Sequence, residues 1–289
     1  MDICTIKFDS KSMIKQNINI GQGTILSIRR ALSFVLICTF ILAGKSSISF
    51  AQANVTISHV DSLALENVIV EKYYVYDPAD YNDSVNDELP KGAVTYRIYI
   101  DMKPGYTLQA VYGTPKHELF LKTSTTFFND QTCFAETGFN INAKKLHIGT
   151  VALDSWITMG AASRLHTGIL KSEDDSLYSF ISNRKTLSKV DGLTKGILPN
   201  FQVYKLDLGF FNNDSTASKF TTNDGAWAAL GGVKGPTKEN RVLIAQLTTT
   251  GKLTFGLNVQ IGTPGGGTVQ FVGKNPEGSE IEFIGLINE

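Results

Sequence analysis

The feature that most constrains this chain is a strict alternation close to its C-terminal end. In "KLTFGLNVQI" the apolar residues Leu253, Phe255, Leu257, Val259 and Ile261 are separated by Thr254, Gly256, Asn258 and Gln260. Successive side chains of a strand point to opposite faces, so one set must lie on a core and the other away from it. Just before it, "RVLIAQL" (Arg241 to Leu247) is almost continuously apolar and reads as a more fully buried strand. "TTTGK" between the two supplies the glycine-containing connection of a hairpin. "TVQFVG" and "SEIEFIGL" extend the pattern on either side of the turn "KNPEG", which predicts an antiparallel meander of about four strands.

The N-terminal half repeats this style. "NVTISHV", "ENVIVEKYYVY", "AVTYRIYIDM", "YTLQAVYG" and "HELFLKTST" are rich in Val, Ile, Thr and Tyr and are separated by turn chemistry such as "KPGY" and "YGTPK". "DPADYNDSVNDELPKG" is a longer polar loop, and the stretch from "LKSEDDSLYSF" to "TKGILPN" carries no long helical period. Many short strands with frequent turns predict a mostly β, antiparallel, β-sandwich-like fold, as one large or two smaller β-domains. The softest division lies near Pro199. It separates an N-terminal β-rich domain (54–199) from residues 200–289, a C-terminal β-meander domain or the remainder of the same sandwich.

Residues 1–53 read as an address. Arg29 and Arg30 precede the apolar run "ALSFVLICTFILA", and Ala51-Gln52-Ala53 follows as an A-x-A site, the arrangement of a secretory signal peptide cleaved after Ala53. The run is shorter than the roughly twenty apolar residues of a membrane-spanning helix, and Lys45 stands where a lipoprotein would need cysteine. The expected product is secreted or at the cell surface, with no membrane anchor after cleavage. Six of the 27 basic and two of the 27 acidic residues leave with this segment, so the mature chain carries 21 against 25, a net charge of −4. With no basic run, it offers nothing to displace counterions from nucleic acid. Cys133 alone remains, which excludes an intramolecular disulfide and reads as a small buried hydrophobe.

Chemical motifs are incomplete. In "GTPGGGTVQFVGKNP" the spacing from Gly267 to Gly273-Lys274 is wrong for a Walker loop, Asn275 follows the lysine, and no helix comes after. "TPGGGT" is therefore read as a strand connection. "HELFL" begins like a zinc-protease motif, but Leu121 replaces the second histidine. Ser155 and Ser163 lie outside any Gly-x-Ser-x-Gly elbow.

Two acidic clusters stand out, Asp77, Asp80 and Asp83 with Asp87 in the long loop, and Glu173 with Asp174 and Asp175. Solvated loop charge is the first reading and structural calcium the sharper one, since exported proteins meet that ion. Eight of the ten tyrosines fall between Tyr73 and Tyr112. They read first as cross-strand packing, and alternatively as an aromatic platform for a ligand, with Tyr73, Tyr76 and Tyr99 as its residues.

The phrases "VTYRIYIDMKPGYTLQAVYGTPKHEL", "TTFFN", "ALDSWITMGAAS" and "NRVLIAQLTTTGKLTFGLNVQIG" resemble a family of exported, β-rich proteins of environmental bacteria with no assigned activity, over most of residues 65–289. The resemblance implies an exported surface or extracellular protein and carries over no catalytic residue. The expected function is a non-enzymatic β-module for adhesion, glycan binding or extracellular matrix structure, with an extracellular glycan or a surface protein as partner. The alternative is a secreted hydrolase of polysaccharide or another polymer, its carboxylates assembled by the fold.

Overall fold

The alternating segments of the N-terminal half form four strands: β1 (Leu65–Val75), β2 (Val94–Met102), β3 (Thr107–Tyr112) and β4 (Leu119–Thr123). The middle of the chain, without sustained alternation, adds short ones among the described residues: β5 (Trp156–Ile157), β6 (Ala161–Ser163), β7 (His166–Gly168) and β8 (Leu193–Lys195). The C-terminal part contributes β9 (Asn200–Tyr204), β10 (Lys219–Thr222), β11 (Ala226–Val233), β12 (Arg241–Thr249), β13 (Leu253–Gly256), β14 (Asn258–Gly262) and β15 (Thr268–Val272). It ends with β16 (Ile281–Glu282) and β17 (Ile287–Asn288). Among the described residues the only helical elements are short 3-10 turns, so the chain is mostly β. The computed structural model describes residues 58–80, 88–175, 180–181, 187, 190–211 and 217–289, all within one compact unit, Val55–Glu289. The expected signal segment 1–53, Asp83 and Asp87 lie outside the described residues.

Among the described residues the strands assemble into four sheets. The first has the order β1-β2-β12-β5, the second β10-β4-β13-β17, the third β16-β15-β14-β3-β11-β9, and the small fourth β6-β7-β8. The first three each combine strands from both sides of Pro199. One apolar cluster joins Ile98, Ile100, Val242 and Ile244 of the first sheet to Leu119 and Phe255 of the second and to Trp227 and Phe271 of the third. A second cluster lies on the other face of the first sheet, where Tyr73, Tyr99 and Leu243 pack against Leu153, Trp156, Leu170 and Leu193. The inner strands β2 and β12 of the first sheet are thus buried on both faces, which is why "RVLIAQL" needs no polar alternation.

The terminal segments depart from a simple meander. β12 and β13 are consecutive but belong to different sheets, so "TTTGK" crosses between layers instead of closing a hairpin. The alternating run itself breaks at Leu257, whose N–H donates to Leu286 O, and its two halves enter different sheets. Its pattern survives the break: Leu253, Phe255, Leu257, Val259 and Ile261 are all buried in the same core. β14 and β15 do form an antiparallel hairpin across "TPGGGT", with Gly262 opposite Thr268, but β15 pairs with β16 in parallel.

Candidate functional site

The sequence-selected tyrosines do not make an exposed platform. Tyr73 and Tyr99 are both 0 % exposed. Their hydroxyls donate to Asp191 O (2.6 Å) and Ile169 O (2.8 Å), so they fasten the segment that covers the first sheet. A bulge between Lys72 and Tyr74 is the reason that simple alternation fails here: Tyr73 and Tyr74 are both buried although they are neighbours. Tyr76 is only partly exposed and packs beside the second cluster. Burial pushes the Tyr73 and Tyr99 hydroxyls far above their ordinary value.

The acidic candidates are engaged in local structure. Asp80 accepts the Tyr74 hydroxyl at 2.9 Å, and Asp77 accepts the Ala79 N–H at 2.9 Å. Asp174 accepts Gly192 N–H at 2.9 Å, while Asp175 is exposed. Among the described residues no three His, Cys, Asp or Glu side chains converge as a metal-binding group. Ser155 donates to Phe128 O (2.6 Å), and Ser163 lies 2.9 Å from His166 Nδ1 as a buried pair closing the β6–β7 hairpin.

The place where exposed polar chemistry gathers is the outer face of the second sheet. Strand alternation sends Leu119 and Leu121 to the core and leaves Phe120 and Lys122 outward. Lys219 stands directly opposite Lys122, and Thr221 opposite Phe120. On the other side of β4, Gly256 of β13 is opposite Phe120, whose ring occupies the space over the glycine. The Lys122 ammonium lies 3.9 Å from the centroid of the same ring.

Glu118 organises this surface. Its carboxylate accepts the Thr221 hydroxyl at 2.6 Å and lies 3.8 Å from Lys219 Nζ and 4.0 Å from Lys122 Nζ. The Thr221 hydrogen bond, with the two ammonium groups behind it, holds the Glu118 carboxyl below its ordinary value.

Two clefts flank the face. One, about 410 Å³, runs along β10 between Lys219 and Thr221 and the segment carrying Lys205, Asp207 and Phe210. The other, about 320 Å³, is lined by Glu118, Phe120 and Lys122 together with Lys116, Lys274 and Glu289. Its wall is fixed from behind. His117 Nε2 meets Glu280 at 2.9 Å, and Asn258 donates to Tyr112 O and His117 O, both at 3.0 Å. Gly273 and Lys274, from the glycine-rich stretch, reach this cleft. Gly273 is needed there because the Ile287 side chain occupies the position of its absent Cβ.

The sequence motifs do not single out Glu118, Phe120 and Lys122. "HELFLKT" reads as a broken zinc motif, whereas its informative content is the outward set Glu-Phe-Lys interleaved with inward leucines. Comparison with protein-family models, curated proteins and solved structures finds no match to this chain.

Proposed function

We propose that this chain is an exported, non-enzymatic β-module that binds an extracellular glycan, in adhesion or in a matrix, through the outer face of the second sheet. The observation that carries the reading is the Phe120 ring set among Glu118, Lys122 and Thr221 between two clefts. An aromatic ring flanked by charged and hydrogen-bonding groups suits a sugar, which offers C–H faces and hydroxyl edges together. Export rests on the basic pair, apolar core and Ala-x-Ala of residues 1–53.

A glycan array probed with the purified protein, with and without calcium, tests the reading. The expected result is binding of a defined glycan without its breakdown, weakened in Phe120→Ala. Loss of signal in chelator would add calcium to the proposal and direct attention to Asp77, Asp80, Asp174 and Asp175. Silence in both conditions would remove the glycan as ligand.

The hydrolase reading keeps one supporting observation: Glu118 and Glu289 line the same cleft, and glycoside hydrolysis needs two carboxyl groups in one cleft. New reducing ends released by the protein but not by Glu118→Gln would favour that reading over simple binding.

A further inference from the structure

Lys122 and Lys219 face each other directly across β4 and β10, an arrangement that repels unless an anion lies between. Glu118 is that anion, at 4.0 and 3.8 Å, and it serves both. The outer cations nearest the clefts each have a carboxylate of their own: Lys205 with Asp224 (3.0 Å), Lys116 with Glu277 (2.6 Å) and Lys274 with Glu289 (3.4 Å). Lys122 and Lys219 therefore share one carboxylate, a local pairing of two ammonium groups with Glu118, while Asp207 stands in the lining of the first cleft.

The clefts border on neighbouring strands. Lys219 and Thr221 line the first, and their cross-strand partners Lys122 and Phe120 line the second. A ligand running perpendicular to the strands would cross the β10–β4 pair between them. At about 4.8 Å per strand, the path from β10 to β17 is roughly 14 Å, longer than one sugar unit.

We infer that the ligand is one acidic polysaccharide chain lying across the strands and occupying both clefts, with an anionic group over Lys122 and Lys219. This rests on the glycan reading above and narrows it from any glycan to an extended, anionic one. An isolated terminal sugar would fill one cleft and leave the lysine pair unused.

Two oligosaccharide series, dimer to hexamer, test it by calorimetry on the purified protein: oligogalacturonates as the acidic probe and cello-oligosaccharides as the neutral one. The acidic series is expected to gain about tenfold or more in affinity from dimer to hexamer. Lys122→Gln and Lys219→Gln should each weaken the hexamer by about three- to fivefold, the scale of one exposed charge contact. Both lysines are solvent-accessible, and thermal melting of each variant checks that it folds. Equal affinity for dimer and hexamer overturns the spanning chain. Cello-oligosaccharides binding as well as the acidic series, with both lysine variants silent, overturns the acidic class while the glycan reading stands. Failure of the acidic series at every length overturns this inference, while the glycan reading itself stands or falls on the array.

Discussion

The Phe120 ring fills the space that a β-carbon on Gly256 would need; an added Cβ would sit 2.5 Å from its Cε1. The two residues are directly opposed across β4 and β13. Glycine inside a strand leaves a gap on the sheet, and here a neighbouring aromatic ring covers it. Gly256→Ala must displace the ring, which sits at the centre of the proposed binding face. The expected cost is about 1–3 kcal/mol, as for other overpacked sites. In a Phe120→Ala background the same change should cost far less, because the obstacle is gone. A double-mutant cycle by chemical denaturation reads this coupling. Equal costs in the two backgrounds would show that the ring is not what excludes the methyl group.

Arg97 ties the covering segment to the first sheet. It is 2 % exposed, donates from Nε to Gln246 Oε1 (2.9 Å) and from Nη1 to Gly192 O (3.0 Å), and lies 3.5 Å over the Tyr73 ring. Glu71 interacts with its charge, and one Glu71 oxygen is buried without a hydrogen-bond partner. Arg97→Met should therefore cost about 3–5 kcal/mol, chiefly by leaving buried acceptors and a carboxylate uncompensated. Arg97→Lys keeps the charge but loses the planar fork, and should fall between. Urea midpoints of the three proteins decide the matter; a Met variant as stable as the parent would mean that the guanidinium contributes packing alone.

The legible part of this fold is the part written in short-range alternation. Leu253 to Ile261 declares its buried set, and that set stays in one core even where the strand changes sheet at Leu257. The change of sheet itself is invisible in the pattern, because side-chain alternation says which residues go inward and not which strand lies alongside. The same limit hides the pairing of β12 with β2, residues separated by more than a hundred positions. Tyr73 escapes the pattern for a different reason, since a single bulged residue reverses the face taken by the residues after it. For the proposed binding face, Glu118, Phe120 and Lys122 are readable as an outward set, but their partners Lys219 and Thr221 arrive only through long-range register.

Cys133 is partly buried against the second cluster, with Asn142, Lys145 and the acidic pair Asp130 and Asp154 acting on its thiol. Burial raises its thiol pKa above the ordinary value, and the neighbouring carboxylates act in the same direction. Little thiolate is then present at neutral pH. A thiol reagent such as dithionitrobenzoate should label the folded protein much more slowly than the denatured one. Folded and denatured protein reacting at similar rates would place Cys133 in an open, activated position instead.

Asp154 gives the sharpest pH prediction. It is 0 % exposed; its Oδ1 accepts the N–H groups of Asp130 (2.8 Å) and Ser155 (2.9 Å), and the Ala135 N–H also acts on the buried carboxyl. Burial pushes its carboxyl well above the ordinary value, and the charge of Asp130 adds to the rise. A raised folded pKa means that the native state holds this proton over a pH range in which the unfolded chain has released it. Its contribution to stability is therefore fully present below the ordinary carboxylate value and is lost as pH rises through the folded value. Asp154→Asn keeps the Oδ1 acceptor and cannot ionise. The variant should lack this part of the decline in stability between acidic and neutral pH, and should be the more stable protein at the upper end. Urea unfolding of both proteins across that range provides the check. Parallel curves, or an Asn variant weaker at neutral pH, would mean that Asp154 is ionised in the native fold and that a positive charge compensates it.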